Sequence, residues 1–142
     1  MWFSSFKEYR ILAVTETRFR PHSTAACIAD IYPSCYSFYH RPCLLGWGGG
    51  VVFLISEHFK VKHSNHNYSS FEYMWADTDS SFSACFVCIY RHPRHPANFY
   101  EHFQDLFENL ATSHSELYIL SDCNFHLDMH SSITTMFDDI LT

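Results

Sequence analysis

The chain has 142 residues, a formal net charge of −6 and only 17% charged residues. A length of this order makes a single domain, residues 1–142, able to bury roughly 70% of its unfolded surface. Fourteen Phe, nine Tyr and three Trp supply the apolar mass for a core, which excludes global disorder, and the negative charge excludes a protein that coats nucleic acid through a general positive field. A local phosphate site is still compatible with that charge, and Arg91, His92, Arg94 and His95 form the densest cationic patch.

Six cysteines are scattered through aromatic and aliphatic runs, unlike a secreted disulfide framework. No basic segment leads from Met1 into an apolar signal core. The longest apolar stretch, residues 51–55, is far short of the roughly 20 residues that span a bilayer. The expectation is an intracellular protein, nuclear or cytoplasmic, with no membrane partner; oligomeric state is left open.

In chain order, residues 10–14 form a short apolar run ending in Thr15-Glu16-Thr17 and read as a buried strand. Residues 18–47, with Pro21, Pro33 and Pro42, carry no readable pattern. Gly48-Gly49-Gly50 leads into a second buried strand at 51–55, and 59–62 alternates apolar with cationic residues, as a half-exposed strand does. Residues 71–76 and 82–90 read as a strand pair joined by the polar turn 77–81. Phe99, Phe103, Leu106, Phe107 and Leu110 share one helical face, with Pro96 suited to the first turn. A short buried strand from Leu117 to Asp122 follows, and Ile133, Met136, Phe137, Ile140 and Leu141 suggest a last helix. This succession is that of an α/β or α+β layered protein.

Three strand ends carry chemistry. Asp122 and Asn124 are two residues apart, so in extended backbone they fall on one side and can converge on one ligand. A carboxylate there can orient a water while an amide donates to a phosphoryl oxygen, although Asp-x-Asn after a strand is more often a turn in which both side chains satisfy local backbone. Glu16 ends its strand where a carboxylate can hold a hard cation. Tyr90 and Arg91 close another strand with a phenol and a guanidinium, both suited to phosphate.

The ordered set Leu12-Ala13-Val14-Thr15-Glu16-Thr17, Gly48-Gly49-Gly50-Val51-Val52, Ile89-Tyr90-Arg91-His92-Pro93 and Ile119-Leu120-Ser121-Asp122-Cys123-Asn124 resembles the endonuclease/exonuclease/phosphatase superfamily. The resemblance is closest to the apurinic-type endonuclease domain of non-LTR retrotransposon reverse transcriptases. It implies a four-layer sandwich, two mixed sheets face to face flanked by helices, with the site at one rim. It also implies Mg2+ or Mn2+ on Glu16, phosphate contact by Tyr90 and Arg91, water activation by Asp122, and substrate and water positioning by Asn124, on a DNA substrate.

Against that pattern, the first, asparagine-bearing strand and the C-terminal strands with a Ser-Asp-His signature are missing, so the expectation is a partial sandwich with weak or no turnover. Ser121 stands for a usual glycine, Cys123 for an aromatic residue and His92 for a proline. Two other readings compete with nuclease chemistry: a non-catalytic relic or interaction fragment, and a zinc module built on Cys85, Cys88, His92 and His95. Strand parity opposes the zinc module, because Cys85 and Cys88 point to opposite faces.

Overall fold

Strand Val51–Ser56 is apolar on both faces because it is the middle of a sheet. In the computed structural model, which describes residues 10–22, 30, 34–43, 48–57, 61–62, 68–78, 84–93 and 98–124, it is β3. β1 (Ile11–Thr15) and β2 (Tyr36–Arg41) flank it, both antiparallel. A second sheet runs β4 (Val61–Lys62), β5 (Glu72–Thr78), β6 (Ala84–Tyr90), β7 (Glu116–Asp122). Its first two pairings are antiparallel and the β6–β7 pairing is parallel, so this sheet is the mixed one. Helix α1 (Phe99–Ser113) makes the crossover that a parallel pair requires.

Side-chain alternation then assigns the layers. From β3, Val51, Phe53 and Ile55 meet Met74 and Ala76 of β5 and Cys88 and Tyr90 of β6, which makes the core between the sheets. The alternate residues Tyr73 of β5 and Cys85, Val87 and Ile89 of β6 face the other way and receive Phe99, Phe103, Leu106 and Leu110 of α1. On the far face of the three-stranded sheet, Val52 and Leu54 pack with Tyr36, Leu12, Phe19 and Phe38. The protein is thus an α/β partial sandwich, two sheets face to face with a helix outside.

Three expectations need adjustment. β2 lies inside the stretch that carried no pattern, because Tyr-Ser-Phe-Tyr-His-Arg has no apolar and polar alternation to read. β7 was expected to be buried, yet its burial alternates and Tyr118 and Leu120 are 48% and 46% exposed. The three-stranded sheet packs over β5 and β6, and among the described residues β7 is the edge, so only its helix-side residues Leu117 and Ile119 join a core. Strand 59–62 is described only at Val61–Lys62, and Pro96 and the suggested last helix lie outside the described residues.

Two departures from the resembled pattern find local explanations. Cys123 is buried at 7% exposure in the cluster that holds Phe71 and Phe99, whose rings supply aromatic bulk around the smaller side chain. Ser121 is exposed and does not have the positive φ that would demand glycine.

Phe103 is 1% exposed at the centre of the helix-to-sheet contact. Phe103→Ala should therefore lower unfolding free energy by about 3–5 kcal/mol in urea titrations, whereas Phe107→Ala, at a half-buried position, should cost clearly less.

Candidate functional site

The register of the four-stranded sheet places Glu72 opposite Tyr90 and Tyr90 opposite Asp122. Partners in register share a face, so these three side chains form one row across β5, β6 and β7. Tyr90 belongs to the core between the sheets, which puts the row on the side facing the three-stranded sheet.

From that sheet comes Glu16, one residue past β1, whose Oε1 accepts a 2.9 Å hydrogen bond from the Tyr90 hydroxyl. Its backbone φ is 53° and that of Arg18 is 58°, left-handed values that cost a non-glycine residue about 1–3 kcal/mol. The glycine run holds this turn in place. Arg18 N donates to Gly49 O at 2.8 Å and Thr17 N to Gly50 O at 3.4 Å, while Gly50 N donates to the Glu72 carboxylate. Gly49 and Gly50 have φ of 100° and 92°, and an added Cβ would lie 2.8 Å from Glu72 oxygens and 2.5 Å from Thr17 Oγ1 respectively. Glycine is required for this approach of backbone to carboxylate.

The end of β7 is fastened to the end of β6. Arg91 N donates to Asp122 O at 2.9 Å, Arg91 Nη1 to Cys123 O at 3.2 Å, and the guanidinium lies 5.2 Å from the Phe99 ring centroid. Asn124 has φ of 51°, its backbone N–H donates to Asp122 Oδ1 at 3.3 Å and its Nδ2 to Arg91 O at 2.6 Å. Asp122 and Asn124 thus meet through an Asx-type turn rather than through in-strand alternation. Each keeps capacity beyond these bonds, since a carboxylate has a second oxygen and an amide nitrogen a second hydrogen.

Burial pushes the Tyr90 phenol up to about 12, helped by its bond to Glu16 and by the charges of Glu16, Asp122 and Glu72. The phenol therefore stays protonated as a donor at a rim where three carboxylates gather. Hard oxygen donors in this density suit Mg2+ or Mn2+, which need only one or two carboxylates and keep several waters. Glu16 and Asp122 would hold such an ion. Among the described residues, Tyr90, Glu16, Asp122, Asn124 and Arg91 thus end at one rim, and Glu72 joins them. Glu72 was missed because nothing local in Phe71-Glu72-Tyr73 marks it; only the hairpin register with Tyr90 could have.

The cysteine and histidine module does not assemble. Cys85 lies in the helix-side core and Cys88 in the core between the sheets; Arg94 and His95 lie outside the described residues.

No family model matches the chain, and no curated protein matches it. Among solved structures it is similar to truncated Caenorhabditis elegans TDP2, at 14% identity and a TM-score of 0.57. The match covers 86% of this chain and 52% of that one, so the chain spans about half the length of the protein it matches. The likeness is one of fold. No described helix is long and apolar enough to cross a membrane.

Two outcomes follow from this geometry. Gly50→Ala should destabilise the protein by about 1–3 kcal/mol, through strain at positive φ and displacement of Thr17, in a thermal melt. Because the folded-state pKa of Tyr90 lies above the usual value of about 10, its stabilising contribution is complete below pH about 10 and is lost as pH rises towards about 12. The unfolding free energy measured across that window should fall less steeply in Tyr90→Phe than in the parent.

Proposed function

We propose that this rim hydrolyses phosphodiester bonds in DNA with a bound divalent cation, Mg2+ or Mn2+, as an endonuclease of the kind that nicks target DNA for non-LTR retrotransposons. The observation that carries the reading is the 2.9 Å bond from Tyr90 to Glu16, which joins two sequence motifs across two sheets at the place where Asp122 stands in register. The fold shared with TDP2 agrees with it.

When bound, the cation offsets charge on the phosphoryl and leaving oxygens. The chain's own groups do the rest. Tyr90, held protonated, turns its one hydroxyl hydrogen from Glu16 to a non-bridging phosphate oxygen, which frees the Glu16 oxygen to face the cation. Asp122 accepts a proton from the attacking water through the oxygen that Asn124 N does not occupy, as the water oxygen bonds to phosphorus and the opposite P–O bond breaks. The second Nδ2 hydrogen of Asn124 orients that water or a phosphate oxygen. Arg91, at the same strand end, adds positive charge beside an otherwise acidic rim, which lowers the repulsion of a polyanion.

A second reading, a non-catalytic fragment that keeps the fold without turnover, is favoured by one observation. Asp122 Oδ1 and Asn124 Nδ2 are both engaged in the local turn.

Nicking of supercoiled plasmid by the purified chain separates the two. Hydrolysis dependent on Mg2+ or Mn2+, reduced about 10² to 10⁴-fold in Glu16→Ala and in Asp122→Ala, supports the nuclease. Absence of nicking in the parent with either metal, with folding intact by circular dichroism, supports the non-catalytic fragment.

A further inference from the structure

At the opposite end of the four-stranded sheet, Asp77 of β5 pairs in register with Cys85 of β6, and His114 follows the last turn of α1. One donor atom from each of these three residues lies within 4.8 Å of the others, the one such group of three among the described residues. Cys85 is fully buried, and the side chains of His114 and Asp77 are only 9% and 21% exposed. Along β6 this cluster is about 17 Å from Tyr90.

The hydrogen bonds identify what the cluster lacks. His114 Nδ1 lies 2.9 Å from Leu110 O; a carbonyl only accepts, so Nδ1 carries the hydrogen. In the neutral ring Nε2 then presents a lone pair, and it stands 2.7 Å from Asp77 Oδ1, which also has only lone pairs to offer. A proton on Nε2 turns the contact into an ion pair, and the Cys85 thiol is itself hydrogen-bonded to the Asp77 carboxylate, while Asp77 Oδ1, though buried, has no well-aligned hydrogen-bond donor of its own. With the ring neutral, the two facing lone pairs and the sulfur beside them converge on one point, where a single metal cation can accept from all three. A ring whose far nitrogen is tied to a backbone carbonyl is also how metal-ligating histidines are oriented. Trp75 packs edge-on against that ring at 5.8 Å.

We propose that Asp77 Oδ1, Cys85 Sγ and His114 Nε2 form a zinc site. Nitrogen, sulfur and oxygen donors together suit Zn2+, whereas Mg2+ and Ca2+ take oxygen alone. A tetrahedral zinc separates neighbouring ligand atoms by about 3.3–3.8 Å, so binding opens the His114 to Asp77 contact slightly and draws the sulfur in. Binding displaces the Cys85 thiol proton to solvent and leaves a thiolate on the metal. The fourth ligand is a water from the adjoining cavity of about 530 Å³, which Asp77, His114, Asp105 and Asn109 help to line. Three protein ligands with an open fourth position is the arrangement of zinc sites that exchange a ligand. This site does not depend on the nuclease reading, which concerns the other end of the sheet.

The test uses the full chain, freed of metal with a chelator and titrated with Zn2+ or Co2+ alone. The expected result is one equivalent of Zn2+ bound. The Co2+ form should show visible d–d bands and a near-ultraviolet thiolate charge-transfer band that disappears in Cys85→Ser and persists in Cys88→Ser. His114→Gln and Asp77→Asn should each weaken Zn2+ binding more than about 10-fold, since loss of a direct ligand exceeds the lower end of the cost of disturbing its neighbours. Failure of the parent to bind stoichiometric Zn2+, a Co2+ spectrum without the thiolate band, or binding undiminished in His114→Gln each overturns the proposal. The first two readings need no variant, so poor folding of Cys85→Ser leaves the test intact.

Discussion

Glu72, Tyr90 and Asp122 stand side by side because β5, β6 and β7 are paired in register up to one end, and the rest of the rim answers to that row. Two acids flanking a tyrosine on one sheet face repel each other and any polyanion, and Glu16 adds a third carboxylate from the other sheet. The structure offsets this with the donors it has. The Tyr90 hydroxyl goes to Glu16, a glycine backbone N–H goes to Glu72, and the Asn124 N–H goes to Asp122. Each of these donors satisfies one carboxylate oxygen. The strained backbone at Glu16 fits this account, since left-handed φ is tolerated where surrounding bonds over-determine it.

Much of the layering was legible because it rests on periodicity. The continuous apolar run at residues 51–55 marked a buried strand, and the spacing of Phe99, Phe103, Leu106 and Leu110 marked the helix that covers β6. β2 was not legible, because its aromatic, histidine and arginine side chains are each only partly buried and show no contrast between faces. The exposure of Tyr118 and Leu120 was hidden for a different reason. An apolar strand looks the same in sequence whether or not a second sheet lies over it, and only the placement of the three-stranded sheet above β5 and β6 decides.

At the strand ends the legible part was residue type, and the illegible part was contact. Asp122 and Asn124 could be read both as a turn and as a paired ligand set, and the geometry contains the turn without spending either side chain entirely. Glu72 and the Asp77, Cys85 and His114 group depend on which residues face each other across a hairpin and a helix crossover. No local spacing encodes that. The two ends of the sheet therefore differ in donor character: oxygen at one, mixed nitrogen, sulfur and oxygen at the other.

The bond between Tyr90 and Glu16 closes a loop of 74 residues, whereas the β5–β6 hairpin and the β6–α1–β7 crossover are built from neighbours in the chain. Closing a long loop must be compensated by contacts that exist only once both sheets are in place. The row of Glu72, Tyr90 and Asp122 is held within one sheet, whereas Glu16 joins it only across the contact between the sheets. The rim is whole only while both sheets are docked, so their separation would keep the row of Glu72, Tyr90 and Asp122 and lose Glu16 from it.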